Sequence, residues 1–389
     1  MLKKILIIAS LFCLSDQYAS AQAEKLTWGD LRLNELQYIG THNSYHIEPD
    51  HLIALMLEKY QFGKDTPWDA EALNIALAYT HVPLDVQLEL GIRTFELDVH
   101  DDPQGGAFAQ PGIYKLYEAE DLKSHIPYDT NQDMKKPGFK VFHTADYDFR
   151  STCKLFLQCL SLIKYWSVNN PNHVPIIIQV EPKSGGKKAI GNLYTPALSP
   201  EFTEDTFTRL ENEILSVFSP GDVVTPDIVR GEYDGIKASL KNNGWPKLKD
   251  ILGKVIFILI HPDESTGIYV GKDKSLKGKL MFANLWEDEN DSSFVMYTKP
   301  FKDKHIAAIS KANRQNILIY TRGDANSSEA RENDYTNAIK AIESGANIIS
   351  TDFPFPDNRI SSYQLRFSNG RFVQCNKYVA REKCKELSN

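Results

Sequence analysis

Val174-Pro175-Ile176-Ile177-Ile178-Gln179-Val180-Glu181 is the stretch that decides the fold. Its apolar residues do not alternate, so both faces of this strand must be covered, as they are in parallel sheets. Val255-Ile256-Phe257-Ile258-Leu259-Ile260 repeats the pattern. Outward from these two lie six more short runs, each ending at or near a polar group: Leu36–His42, Ile92–His100, Lys140–His143, Lys279–Leu285, Asn316–Thr321 and Asn347–Asp352. Helical patterns separate many of them. Asp205–Phe218 has apolar residues near helical spacing with Thr203 as its cap, and Asp334–Ser344 stops at Gly345. Strands alternating with helices predict right-handed βαβ units and a parallel sheet. Eight of them predict an α/β fold, a single-domain (β/α)8 TIM-type barrel. A doubly wound open sheet is the alternative, but polar residues at so many strand ends suit one barrel mouth. The long connections Ser44–Leu90, Asp101–Phe139 and Pro182–Gly253 are expected to form rim loops around it.

The 389 residues are 42% hydrophobic and 24% charged, an ordinary globular composition. Lys3 and Lys4, the apolar run Ile5–Leu14 and the small residues Ala19-Ser20-Ala21 read as a signal peptide over residues 1–21. The run is too short to span a bilayer. Export, into the periplasm or out of the cell, is therefore expected. Residues 22–360 would form the barrel and 361–389 a tail that caps it. Cleavage removes Lys3, Lys4 and Asp16, leaving the chain one unit more acidic than its full net charge of −7. An acidic chain lacks the cations that nucleic acid demands, and it is ill suited to strong adhesion on anionic lipid. Nothing in it sets an oligomeric state. Cys153, Cys159, Cys375 and Cys384 remain after cleavage, and four cysteines allow three pairings. Export favours disulfides, with the sequence-local pairs Cys153–Cys159 and Cys375–Cys384 preferred.

The polar strand ends carry the chemistry. Thr41-His42-Asn43-Ser44 follows the first strand; taken alone it reads as a solvated loop histidine with a turn asparagine. Glu96-Leu97-Asp98 ends the second. In a strand, i and i+2 share a face about 6.6 Å apart, so both carboxylates reach one ion while Leu97 packs opposite. Burying two carboxylates without a cation is costly, and an all-oxygen set suits calcium. Val141-Phe142-His143-Thr144 supplies a second histidine, and Gln179-Val180-Glu181-Pro182-Lys183 ends the deciding stretch on a charge. Lys183, in a Gly/Lys-rich segment, could touch a phosphate. Tyr320-Thr321-Arg322 offers an aromatic face for a sugar ring and a guanidinium for phosphate. Asp352 either bonds a sugar hydroxyl or caps the Phe353-Pro354 turn.

The order His-Asn, Glu-x-Asp, His and Glu on successive strand ends resembles the calcium-dependent phosphatidylinositol-specific phospholipase C family, including its exported bacterial members. The resemblance runs from about Gly40 to Asp352 and is densest over Gly40–Glu181. It implies a barrel, one calcium ion, and cleavage of a phosphodiester beside a sugar-like hydroxyl. It makes His42 and His143 the catalytic pair and Asn43, Glu96, Asp98 and Glu181 the metal ligands, with Glu96 or Glu181 as the base. The implied substrate is an inositol phospholipid or another phosphodiester, met in transient contact with a membrane surface. Glycerophosphodiester phosphodiesterases share the layout but carry His-Arg-Gly where this chain has His42-Asn43-Ser44. That hydrolase and a non-catalytic barrel binding inositol phosphates or glycans are the alternative readings. A complete pair of histidines is more than a binding module requires.

Overall fold

The computed structural model describes residues 26–123, 128–186, 190, 192–260, 264–299 and 302–388. The expected signal peptide lies outside the described residues. Ten strands occur among those described: β1 (Leu36–Thr41), β2 (Thr94–His100), β3 (Lys140–Val141), β4 (Ile176–Pro182), β5 (Val255–Leu259), β6 (Phe282–Ala283), β7 (Phe294–Tyr297), β8 (Leu318–Arg322), β9 (Ile348–Thr351) and β10 (Val373–Cys375). Two arcs of parallel strands build a barrel. One runs β2-β4-β5-β6 and the other β7-β8-β9-β1. A parallel bridge between Asn284 and Phe294 links the arcs at one seam. β5 is buried at every residue and β4 at all but Glu181, as their unbroken apolar runs require.

The other seam, between β1 and β2, is held differently. Ser44 stitches its upper end: its N–H donates to the Glu96 carbonyl at 2.9 Å, and its Oγ accepts from the Glu96 N–H at 2.8 Å. Gly40 lets the two strands approach, since a Cβ there would lie 2.1 Å from Thr94 Cγ2 and 2.7 Å from the Thr94 carbonyl oxygen. β10 pairs antiparallel with the lower half of β1, matching Leu36 to Cys375 and Tyr38 to Val373. The tail thus adds a strand to the barrel wall. Both expected disulfides are formed, Cys153–Cys159 and Cys375–Cys384; the second ties β10 to the last helix, Arg381–Glu386.

One strand expectation is corrected. Lys140–His143 is not a parallel barrel strand. Only Lys140 and Val141 are extended, and they pair antiparallel with His100 and Val99 at the end of β2. The parallel strand missing from the sequence reading is β7, a four-residue run whose last two residues are only partly buried, so its pattern is weak. The two predicted helices form as Glu204–Val217, with the Thr203 side chain accepting from the Thr206 N–H, and Thr336–Glu343, followed by Gly345 at φ 78°. Among the described residues, no helix is long and apolar enough to cross a membrane.

The long connections are folded. The β1–β2 connection carries helices His51–Lys59, Ala70–Ala76 and Leu84–Glu89. Ile53, Met56, Leu57, Leu73 and Leu77 from it pack with Ile113, Leu116, Phe142 and Tyr147 in a buried apolar cluster of their own. The rim around the mouth is therefore a second small core resting on the barrel.

Candidate active site

Parallel pairing fixes the acidic centre. The β2–β4 register sets Asp98 opposite Glu181 and Glu96 opposite Gln179. Ligand oxygens of Glu96, Asp98 and Glu181 converge to within 4.8 Å of one another. Glu96 and Asp98 are almost wholly buried. Among the described residues Asp98 Oδ1 has no hydrogen-bond partner, and burial pushes the Asp98 carboxyl up to about 6. An orphaned buried oxygen within an all-oxygen cluster is what a hard divalent cation would satisfy.

Lys183, expected to meet substrate phosphate, instead reaches into this centre. Its Nζ lies 2.8 Å from Asp98 Oδ2 and contacts Glu181 Oε1. Burial would lower its pKa, but the two carboxylates outweigh burial and hold it above the ordinary lysine value. Asn43 is buried at the end of β1 in a left-handed conformation, φ 44°, which asparagine tolerates. Its Nδ2 donates to Tyr79 Oη at 3.2 Å, and its Oδ1 accepts from Tyr45 Oη at 3.4 Å.

Each histidine is oriented through Nδ1 by a buried aspartate. His42 Nδ1 donates to Asp352 Oδ1 at 2.8 Å, which leaves Nε2 for the cavity, 3.7 Å from Glu96 Oε1. Burial, followed by the charge of Arg322, pushes His42 down to about 4 despite Asp352. His143 Nδ1 donates to Asp148 Oδ2 at 2.6 Å. Asp148 Oδ1 takes a second imidazole, His46 Nε2 at 2.8 Å, while His46 Nδ1 donates to the Tyr79 carbonyl at 3.0 Å. Burial alone would raise the Asp148 carboxyl; His46 and the hydrogen bond from His143 reverse that and hold it well below the carboxylate range.

Three substrate-contact expectations change. Asp352 gives its second oxygen to Arg322 Nη2 at 2.8 Å, so both its oxygens serve protein groups and its place is behind His42. Tyr320 is 1% exposed and donates its hydroxyl to Glu96 Oε2 at 3.3 Å, so its ring lies beneath the site and presents no stacking face. Arg322 lines the cavity but is held by Asp352 and by the Asp324 carbonyl, 2.9 Å from its Nε. Asp324 is itself 2% exposed, so Arg322-Gly323-Asp324 forms internal framework.

Sequence reasoning missed Asp148, His46, His81 and Ser44 as supports. His81 is buried and its Nε2 donates to the His42 carbonyl at 2.9 Å. Asp148 carried a usable signal: it lies five residues beyond His143, across a turn closed by reciprocal Thr144 and Asp148 backbone bonds of 2.9 and 3.0 Å. His46 carried none, since only the fold brings it to Asp148.

A family model described as phosphoinositide phospholipase C, Ca2+-dependent, matches residues 31–377. The chain belongs to that family. A calcium-dependent phosphoinositol-specific phospholipase C from a Gram-negative Pseudomonas sp. has a similar structure, at 15% identity and a TM-score of 0.50, covering 89% of this chain and 96% of its own. The same values hold for that enzyme's myoinositol complex. A Ca2+-dependent phosphatidylinositol-specific phospholipase C from Streptomyces antibioticus matches at 15% identity and a TM-score of 0.49, over 82% of this chain and 94% of its own. No curated protein matches by sequence. As a member of the phosphoinositide phospholipase C family the protein is a phosphodiesterase, and its cofactor is calcium. The orphaned oxygen of Asp98 and the Glu96-Asp98-Glu181 cluster fit that ion.

Proposed function

We propose that the protein cleaves phosphatidylinositol, or a related inositol phospholipid, to diacylglycerol and inositol phosphate through a 1,2-cyclic phosphate. The observation that carries this reading is the shared cavity: His42 and His143, each tied to a buried aspartate, open onto one space of about 810 Å³ beside the carboxylate cluster. The myoinositol complex of the Pseudomonas relative supports the headgroup.

Glu96, Asp98 and Glu181, joined by Asn43, would hold calcium, which lowers the pKa of a bound hydroxyl and offsets phosphate charge. Glu181, the more exposed carboxylate at 15% against 2% for Glu96, takes the proton of the ring 2-hydroxyl. The oxygen attacks phosphorus, and the ring's own hydroxyl is favoured because it is already held beside its target. Asp352 keeps a proton on His42 Nδ1. The incoming phosphodiester charge favours the imidazolium, whose Nε2–H then donates to the phosphoryl oxygens. His143, held through Nδ1 by Asp148, protonates the departing glycerol oxygen through Nε2. Arg322, braced by Asp352, adds a cation on the cavity wall. Residues 1–21 are assigned to export, and lipid that sits in a membrane is met in transient contact with its surface.

Phosphorus NMR at early times on phosphatidylinositol tests the route. The cyclic phosphate should appear before the monoester, and a 2-deoxy-inositol lipid should bind without turnover. Cleavage of the 2-deoxy lipid, with no cyclic species at any time, would establish attack by water and favour the glycerophosphodiesterase-like reading.

A further inference from the structure

His143 stands between two unlike spaces. On one side is a recess of about 120 Å³ lined by polar groups, among them His100, Lys183, Ser184 and Ser199. On the other is the large cavity of about 810 Å³, near the upper end of the ~300–1,000 Å³ that small-molecule sites span. The floor of the large cavity is polar, with His42, Asn43, Arg322 and Asp352. The connection between β1 and β2 lines the cavity with Tyr60, Phe62, Trp68, Leu73, Ala76 and Leu77, an apolar wall interrupted by Gln61, Lys64 and Thr66.

This wall is braced. Leu73 and Leu77 belong to the rim's own buried cluster. The two helices that frame it are capped: Asp50 accepts from the Leu52 and Ile53 N–H groups, and Asp69 from that of Ala72. Trp68, 50% exposed, stands at the opening. Hydroxyls buried against its aliphatic groups, Leu73, Ala76 and Leu77, lose water without gaining partners. A methylene chain gains from every group it buries.

We propose that this wall takes the first methylenes of a single alkyl or acyl chain on the leaving group, so that the protein selects dissolved lipid monomers by chain length. The proposal rests on the phospholipase C reading of the same site. The polar recess and the floor hold the headgroup and phosphate, and the reacting phosphorus lies at the boundary between the two surfaces. Catalysis on a monomer then needs no bilayer, since the protein supplies the apolar surroundings.

The test uses inositol-phosphate alkyl esters with methyl, butyl, hexyl and octyl leaving groups. Each is assayed with calcium below its aggregation concentration. The expected result is a kcat/KM that climbs with chain length, by up to about fourfold per buried methylene. Ala76→Phe, which fills the wall, should stop the climb at a shorter chain, and Leu77→Ala should make it shallower. Thermal melting checks that both variants fold, and the series on the unaltered protein stands without them. Equal kcat/KM for all four esters, with a jump only when micelles form, would overturn the pocket and make the rim a surface-docking device. Failure on every inositol ester, the methyl ester included, beside turnover of a different phosphodiester would overturn the phospholipase C reading itself.

Discussion

At the scale of single residues, the two histidines differ in what stands behind them. His42 leans on Asp352 and Arg322, whereas His143 shares Asp148 with His46. Their proposed roles differ accordingly. His143→Ala should lose about 10²–10⁴-fold on phosphatidylinositol and regain part of that on a nitrophenyl ester, whose leaving group needs less protonation. His42→Ala should lose similarly on both substrates, and equal rescue of the two variants in steady-state assays would show the roles misassigned. Lys183 is the other residue whose surroundings predict behaviour. Its ammonium lies against Asp98 and Glu181, two of the proposed calcium ligands, so on that reading the two cations compete. Lys183→Gln should bind calcium roughly tenfold more tightly, about 1.4 kcal/mol, as measured by titration calorimetry. Its metal-free form should melt lower, since two carboxylates, Asp98 and Glu181, lose a neutralising neighbour. Weaker calcium binding would mean that Lys183 supports the ion rather than displacing it.

At the scale of elements, the β1–β2 seam is where the site is assembled. β10 and β3, both antiparallel, flank this seam, one low on β1 and the other at the end of β2. Between them the strands meet through Gly40 against Thr94 and through Ser44 against Glu96. The same closeness sets His42 beside Glu96. Gly40→Ala puts a methyl group into the Thr94 carbonyl oxygen, a backbone atom that cannot rotate away. Strands must part, and stability should fall by ~1–3 kcal/mol, the usual range for overpacking. Urea melts measure it, and a variant as stable as its parent would show that the seam is slack. Calcium affinity should fall with stability, because Glu96 moves with β2.

At the scale of the whole molecule, buried neutral histidines predict the response to acid. Burial pushes His81 down to about 4, although the carbonyl of His42 accepts from its ring. In the unfolded chain a histidine titrates near 6.5. As pH falls below that value the unfolded state binds a proton that the folded state refuses. The stabilising effect is therefore complete above pH ~6.5 and is lost as pH falls toward 4, to the extent of roughly 3 kcal/mol. Urea melts of the calcium-free protein at pH 7.5 and pH 5 should differ in this direction, and His81→Gln should reduce the difference. An unchanged pH dependence in that variant would place the acid sensitivity elsewhere.

The sequence by itself determined the barrel and its charged mouth. Unbroken apolar runs such as Ile176-Ile177-Ile178 can be satisfied only by cover on both faces, and period-two spacing puts Glu96 and Asp98 on one face whatever the rest of the chain does. Local signals sufficed for the cap at Thr203, the stop at Gly345 and both short-range disulfides. Tertiary structure alone decided which polar side chains face the cavity and which stand behind them. Tyr320 lies within β8 and Asp352 just beyond β9, much as the proposed catalytic groups lie on or after their strands, yet neighbouring partners hold one under Glu96 and the other behind His42. The Asp148–His46 support, the β10 strand on β1 and the antiparallel turn of β3 all join segments far apart in the chain. Such pairings leave no periodic trace in sequence, because they follow from how whole elements pack rather than from the spacing of residues within one.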